Sequence, residues 1–165
     1  MARLLVSLVL ASMAIFIPST HAKDVVAKVA EPAPPEAVAR FLMGTRLGYI
    51  TCSGKYRTYL EKRDLYDLVN DGKASARMEM PSSEEATACV HETTYKGKSL
   101  YEAAAKQTSA PAGKTALREY MTAWEASLVA LPAKQPEKLG EFDARQKKQE
   151  ARLDQLQARV EAQSR

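Results

Sequence analysis

The chain has 165 residues, of which 45 % are apolar and 27 % charged, with two cysteines and a formal net charge of +4. That length fits one domain able to bury a core of its own. A nucleic-acid surface needs a basic stripe or patch, whereas the densest basic run here, Arg145 to Lys148 with Arg152, is flanked by Glu141, Asp143 and Glu150 and reads as a solvated helix face.

Met1-Ala2-Arg3 opens the chain as a short basic segment, and an apolar run from Leu4 to Ile17 follows until Pro18 ends it. Thr20-His21-Ala22 then sets a small residue at the −3 and −1 positions of a cleavage site. Charge, apolar run and small-residue exit in that order are the anatomy of a secretory signal peptide, predicted over residues 1–22. The run is shorter than the roughly 20 residues of a membrane-spanning helix, and no cysteine follows the site to take a lipid. No second long apolar run follows. The expectation is a periplasmic or secreted protein without a membrane span after cleavage, with net charge +3 once Arg3 is taken from the total of +4.

Residues 23–35 (KDVVAKVAEPAPP) form a Pro/Ala-rich leader, where Pro32, Pro34 and Pro35 forbid a regular helix and favour extended backbone. Residues 36–165 read as a single helical domain. Pro35, Pro81, Pro111, Pro132 and Pro136 divide it into stretches of helical composition, as expected if proline is tolerated at helix starts and expelled from interiors. Its few Val and Ile residues never alternate with polar ones as a strand requires. The predicted fold is therefore all-α, a bundle of about four helices.

The first helix is predicted from Glu36 to Val69, with a break near Ser53-Gly54. Val38, Leu42, Thr45, Tyr49, Cys52, Tyr56, Tyr59, Arg63 and Tyr66 recur on one face at steps of three and four. Gly44, Gly48 and Cys52 form a row of small residues along which another helix can approach closely. Asn70-Asp71-Gly72 is a stop signal. The second helix starts near Ser82, with Ser82 and Glu85 as a capping box, and runs to about Lys106, with a kink or break expected at Gly97. The third spans about Pro111 to Leu131 and places Leu117, Met121, Trp124, Leu128 and Leu131 on one stripe. The fourth runs from about Pro136 toward Gln163. Gln146 and Gln149 interrupt its stripe of Leu139, Phe142, Leu153, Leu156 and Val160. That narrow seam among charged residues predicts a longer helix that partly projects past the core and can pair with another copy as a coiled coil. A bundle cut after Gln149 should then still fold.

Cys52 and Cys89 are the only cysteines, and export to an oxidising compartment predicts that they join in a disulfide between the first two helices. No C-x-x-C is present, so redox and c-type haem motifs are absent. His91 is the only histidine after the signal segment and has no partners at zinc-ligand spacing. Ala88 stands where a di-iron bundle would place a glutamate three residues before it. A copper-like site built on Met78 and Met80 would be underfilled, since two thioethers need further ligands. Neither a nucleophile with a base nor a glycine-rich phosphate loop is visible. The expectation is no enzyme, no metal and no cofactor.

Tyr49, Tyr56, Tyr59 and Tyr66 remain as the most suggestive feature. Tyrosine combines an apolar ring with a hydrogen-bonding tip, which suits a half-wet recognition face; a stripe closing the core is the alternative. The functional expectation is a cell-envelope binding or adaptor module that docks a protein partner on this row, on the long last helix, or on both. The alternative function is a small-ligand or copper-like metal carrier using Met78, Met80, Met121 and His91.

Overall fold

A computed structural model describes residues 34–70, 79–132 and 137–164. The signal-peptide segment, the leader apart from Pro34 and Pro35, Gly72 and Met78 lie outside these residues. Among the described residues four helices, α1 (Glu36–Asn70), α2 (Glu84–Gln107), α3 (Pro111–Val129) and α4 (Leu139–Gln163), build an all-α bundle within one compact unit.

Each start has a local cause. Glu36 follows Pro34-Pro35 and sets a carboxylate in the first turn of α1, where the helix dipole favours it. At α2 the Ser82 hydroxyl accepts the Glu84 amide at 3.1 Å, one residue short of the expected capping box. Pro111 takes the first turn of α3, where its missing N–H costs nothing. At α4 the Glu141 carboxylate reaches back to the Lys138 amide at 3.2 Å.

The helices run alternately up and down. Cys52 is bonded to Cys89, Tyr56 meets Thr87 and Gly44 meets Leu100, so α1 and α2 are antiparallel. Arg159 pairs with Glu119, and Gly113 abuts the Gln163 carbonyl, so α3 and α4 are antiparallel as well. Arg57 with Asp143 and Arg46 with Asp154 do the same for α1 and α4. The disulfide joins the middle of α1 to the early turns of α2, as its spacing predicts.

Phe41, Tyr49, Leu60, Leu117, Tyr120, Trp124, Leu128, Phe142, Leu153 and Val160 fill the core. Phe41 packs edge-on against Tyr120, with centroids 5.5 Å apart. The Trp124 indole N–H donates to the Thr45 carbonyl at 2.9 Å, and the Thr45 hydroxyl lies 3.1 Å from that of Tyr120. The predicted stripe of α3 is buried in full.

Three local expectations are corrected. First, α1 is continuous through Ser53-Gly54, because Cys52 and Tyr56 are anchored in the core on either side. Second, α2 is unbroken through Gly97. Glycine stands there because the Trp124 ring lies against the backbone, and a Cβ would come within 2.1 Å of Trp124 Cη2. Third, α4 does not project: Val160 and Ser164 are buried, and its last turn touches Gly113 of α3. The glutamines that interrupt its stripe serve the core, since the Tyr49 hydroxyl sits between Gln146 and Gln149, 2.8 Å from the latter's Oε1.

Candidate functional site

The tyrosine row divides between Tyr56 and Tyr59. Tyr49 and Tyr56 turn inward and are buried, Tyr49 against α4 and Tyr56 with its hydroxyl 3.2 Å from Thr87 Oγ1 of α2. Burial pushes the Tyr49 phenol far above its ordinary range, with the Glu150 carboxylate adding to the effect. Tyr59 and Tyr66 are half-buried. With Arg63, Asp67, Met80, Pro81 and Lys138 they line a cleft of about 230 Å³.

The antiparallel register explains why the row splits there. Lys55 pairs with Glu85 in the first turn of α2, so the turns of α1 beyond it outrun α2. The short segment at Met80-Pro81 and the start of α4 cover that end of α1 only in part, and a groove is left between them. Tyr59, Arg63 and Tyr66 stand at steps of four and three, so all three open onto it.

Arg63 fixes the far wall. Its guanidinium donates to the Glu137 carbonyl and, at 3.2 Å, to Asp64 Oδ1. The Glu137 carboxylate in turn takes Nε and Nη2 of Arg145, both at 2.8 Å. Arg145 also lies over the Phe142 ring, 5.1 Å from its centroid. A bidentate pair of this kind has strong directional preference, and it seats the residue next to Lys138. The cleft thus has aromatic walls, two phenol groups, the Lys138 ammonium and the Asp67 carboxylate. Its lip carries the Met80 thioether, which is 70 % exposed.

The groups considered for a metal stand in separate places. Met80 is at the cleft, Met121 is buried on α3 and His91 is exposed on α2. Among the described residues no three His, Cys, Asp or Glu side chains are grouped to hold a metal ion. The face that α4 turns to solvent carries Lys147, Lys148, Arg152, Asp154 and Gln155, with no large apolar side chain among its exposed positions.

Sequence reasoning missed two things. Pro81, Lys138 and Asp67 join the tyrosines only through tertiary packing, and no local signal marks them. Met43, Leu47 and Ile50 are a different case, because they stand on the solvent face of α1 and are exposed. Their spacing of four and three was a readable sign of a second apolar stripe.

Comparison with known proteins gives no match: no family model, curated protein or solved structure corresponds to the chain.

Proposed function

We propose that this chain is an exported cell-envelope protein that acts as a non-catalytic binding or adaptor module, docking a protein partner at the cleft between Tyr59 and Tyr66. One observation carries the reading: two tyrosines stay half-buried around an open cleft instead of joining Tyr49 and Tyr56 in the core. Tyrosine gives large contact area at low entropic cost and keeps a polar tip, which is why it is enriched at recognition surfaces. The rings offer apolar walls to a partner side chain, while the phenols and the Lys138 ammonium offer points for main-chain carbonyls or a carboxylate. Arg63 is already engaged with Asp64 and Glu137, so its role is to position the α4 side of the cleft.

Export is supported by the segment Met1 to Ala22 and by the pairing of both cysteines, which is compatible with an oxidising compartment. Among the described residues no helix is long and apolar enough to cross a membrane.

A photoreactive phenylalanine analogue replacing Tyr66 tests the reading in the producing cells. The same analogue at Ala158, on the outward face of α4, is the control. The expected result is one defined adduct from position 66, lost when Tyr59→Ala is added, and none from position 158. Equal labelling from both positions, or no adduct from either, would remove the cleft as a docking site.

A further inference from the structure

Away from the cleft, α1 presents a ridge to solvent in which Met43 is 72 %, Leu47 64 % and Ile50 48 % exposed. Beside the ridge lies a mainly apolar groove of about 430 Å³, with Leu42 in its floor and Gln157 of α4 on its far side. Three large apolar side chains within two turns of one helix face are a contiguous patch of the kind that marks an interaction surface.

The sequence continues the same stripe in both directions. With 3.6 residues per turn, Ala39 and Glu36 fall on it toward the amino end, and Gly54 and Arg57 toward the carboxyl end. From Glu36 to Arg57 the stripe runs for about 30 Å. An acid closes one end and a base the other. Gly54 is exposed, and a Cβ there would meet no atom within 4 Å.

We propose that this stripe is the contact surface of a homodimer, in which α1 lies antiparallel to α1 of a second copy about a two-fold axis beside Leu47. The register that sets Met43 against the second copy's Ile50 also brings Ala39 opposite Gly54 and Glu36 opposite Arg57. Symmetry makes each of these pairings twice. One register therefore matches apolar with apolar, small with small and acid with base, which is the self-complementarity an isologous interface requires. The small pairs let the helices close to ordinary packing distance, and the ridge of each copy enters the groove of the other.

Charge selects the antiparallel orientation. A parallel pair would stack Glu36 on Glu36 and Arg57 on Arg57. Arg46, which falls near the axis, is already paired with Asp154 at 3.0 Å, so it meets its symmetry mate as a neutralised group. Glu36 and Arg57 are well exposed and hold only surface partners on their own chain, Arg40 for the first, Glu61 and Asp143 for the second. Tyr59 and Tyr66 lie on the other side of α1, so a dimer leaves both clefts open and the two proposals fail or stand separately.

Sedimentation equilibrium of the full chain with its disulfide intact, over the micromolar range, tests the interface. The wild type is expected to dimerise. Ile50→Lys and Met43→Lys, each at an exposed position, should sediment as monomers with unchanged circular dichroism. Glu36→Arg should weaken the dimer about tenfold, because two attractive pairs become repulsive. Adding Arg57→Glu to Glu36→Arg should restore it. A wild type that is monomeric at about 100 μM overturns the proposal. So does a dimer that Ile50→Lys leaves intact, or a double reversal that regains nothing.

Discussion

A methyl group added at Gly97 would lie 2.1 Å from Trp124 Cη2 and 2.5 Å from Cζ3, and the indole, fully buried, has nowhere to retreat. Helix propensity alone predicts that Gly97→Ala stabilises by about 1 kcal/mol. Overpacking a core costs typically about 1–3 kcal/mol and opposes that gain. The expected outcome is a net loss of up to about 2 kcal/mol in urea unfolding at neutral pH. A more stable variant would mean that the indole can shift without cost. Tyr49 and Tyr120 give a second prediction at this scale. Burial raises both phenols, with the Thr45 hydroxyl and Arg46 pulling Tyr120 part of the way back. The unfolded chain ionises its tyrosines near pH of about 10, while the folded chain still holds those protons. Between the unfolded and folded pKa values the unfolded state therefore binds fewer protons, and stability falls as pH rises. The contribution is fully present below about pH 10. Comparing urea midpoints at neutral pH and above pH of about 10.5 should show a decline that is shallower in Tyr49→Phe. Equal slopes would mean that Tyr49 ionises while folded.

At the scale of elements, the α1–α2 hairpin rests on two devices that were legible in the sequence and one that was not. Gly44 and Gly48 admit Leu100 and Thr93 at distances no Cβ would allow, and Cys52–Cys89 closes a loop with a sequence separation of 37. Both followed from residue type and spacing. What spacing did not show was the length by which α1 outruns α2, which depends on where the second helix begins against the first. Loop-closure entropy for a bridge of this span is worth about 4 kcal/mol. Cys52→Ala/Cys89→Ala, chosen to avoid burying hydroxyls, should therefore lower the melting temperature by roughly 15 °C without changing the helical spectrum below the transition. An unchanged melting temperature would show that the glycine-lined contact alone holds the pair. The cleft belongs to this scale too. Tyr59 and Tyr66 were named from the sequence with Tyr49 and Tyr56, since all four share a helical period. Which pair is covered depends on where α2 begins, at Glu84, and on how α4 packs against Tyr49.

For the whole molecule, the fourth helix is the discriminating element. Charge along a narrow apolar seam reads as a helix that leaves the core, and on that reading a chain cut after Gln149 would still fold. In the bundle, Leu153 and Val160 are fully enclosed and Leu156 is partly so, packed against the core. Burying three such side chains stabilises by about 5 kcal/mol in total, comparable to the net stability of a typical domain. Truncation after Gln149 is therefore expected to abolish the cooperative unfolding transition measured by circular dichroism. A truncated chain that melts cooperatively near the wild-type temperature would return α4 to a peripheral role.

The amino-acid sequence by itself determined the class of fold and the number of helices, because proline positions and three-four periodicity are local properties that every turn of backbone reads directly. It also paired the cysteines, there being only two. The tertiary structure decided what local rules leave open: which tyrosines are covered, why Gly97 is glycine, and what Gln146 and Gln149 are for. It also decided which apolar stripe of α1 stays bare. Periodicity places a residue on a helix face, but burial depends on how far the neighbouring helix extends, and that is set by the register of elements distant in the chain.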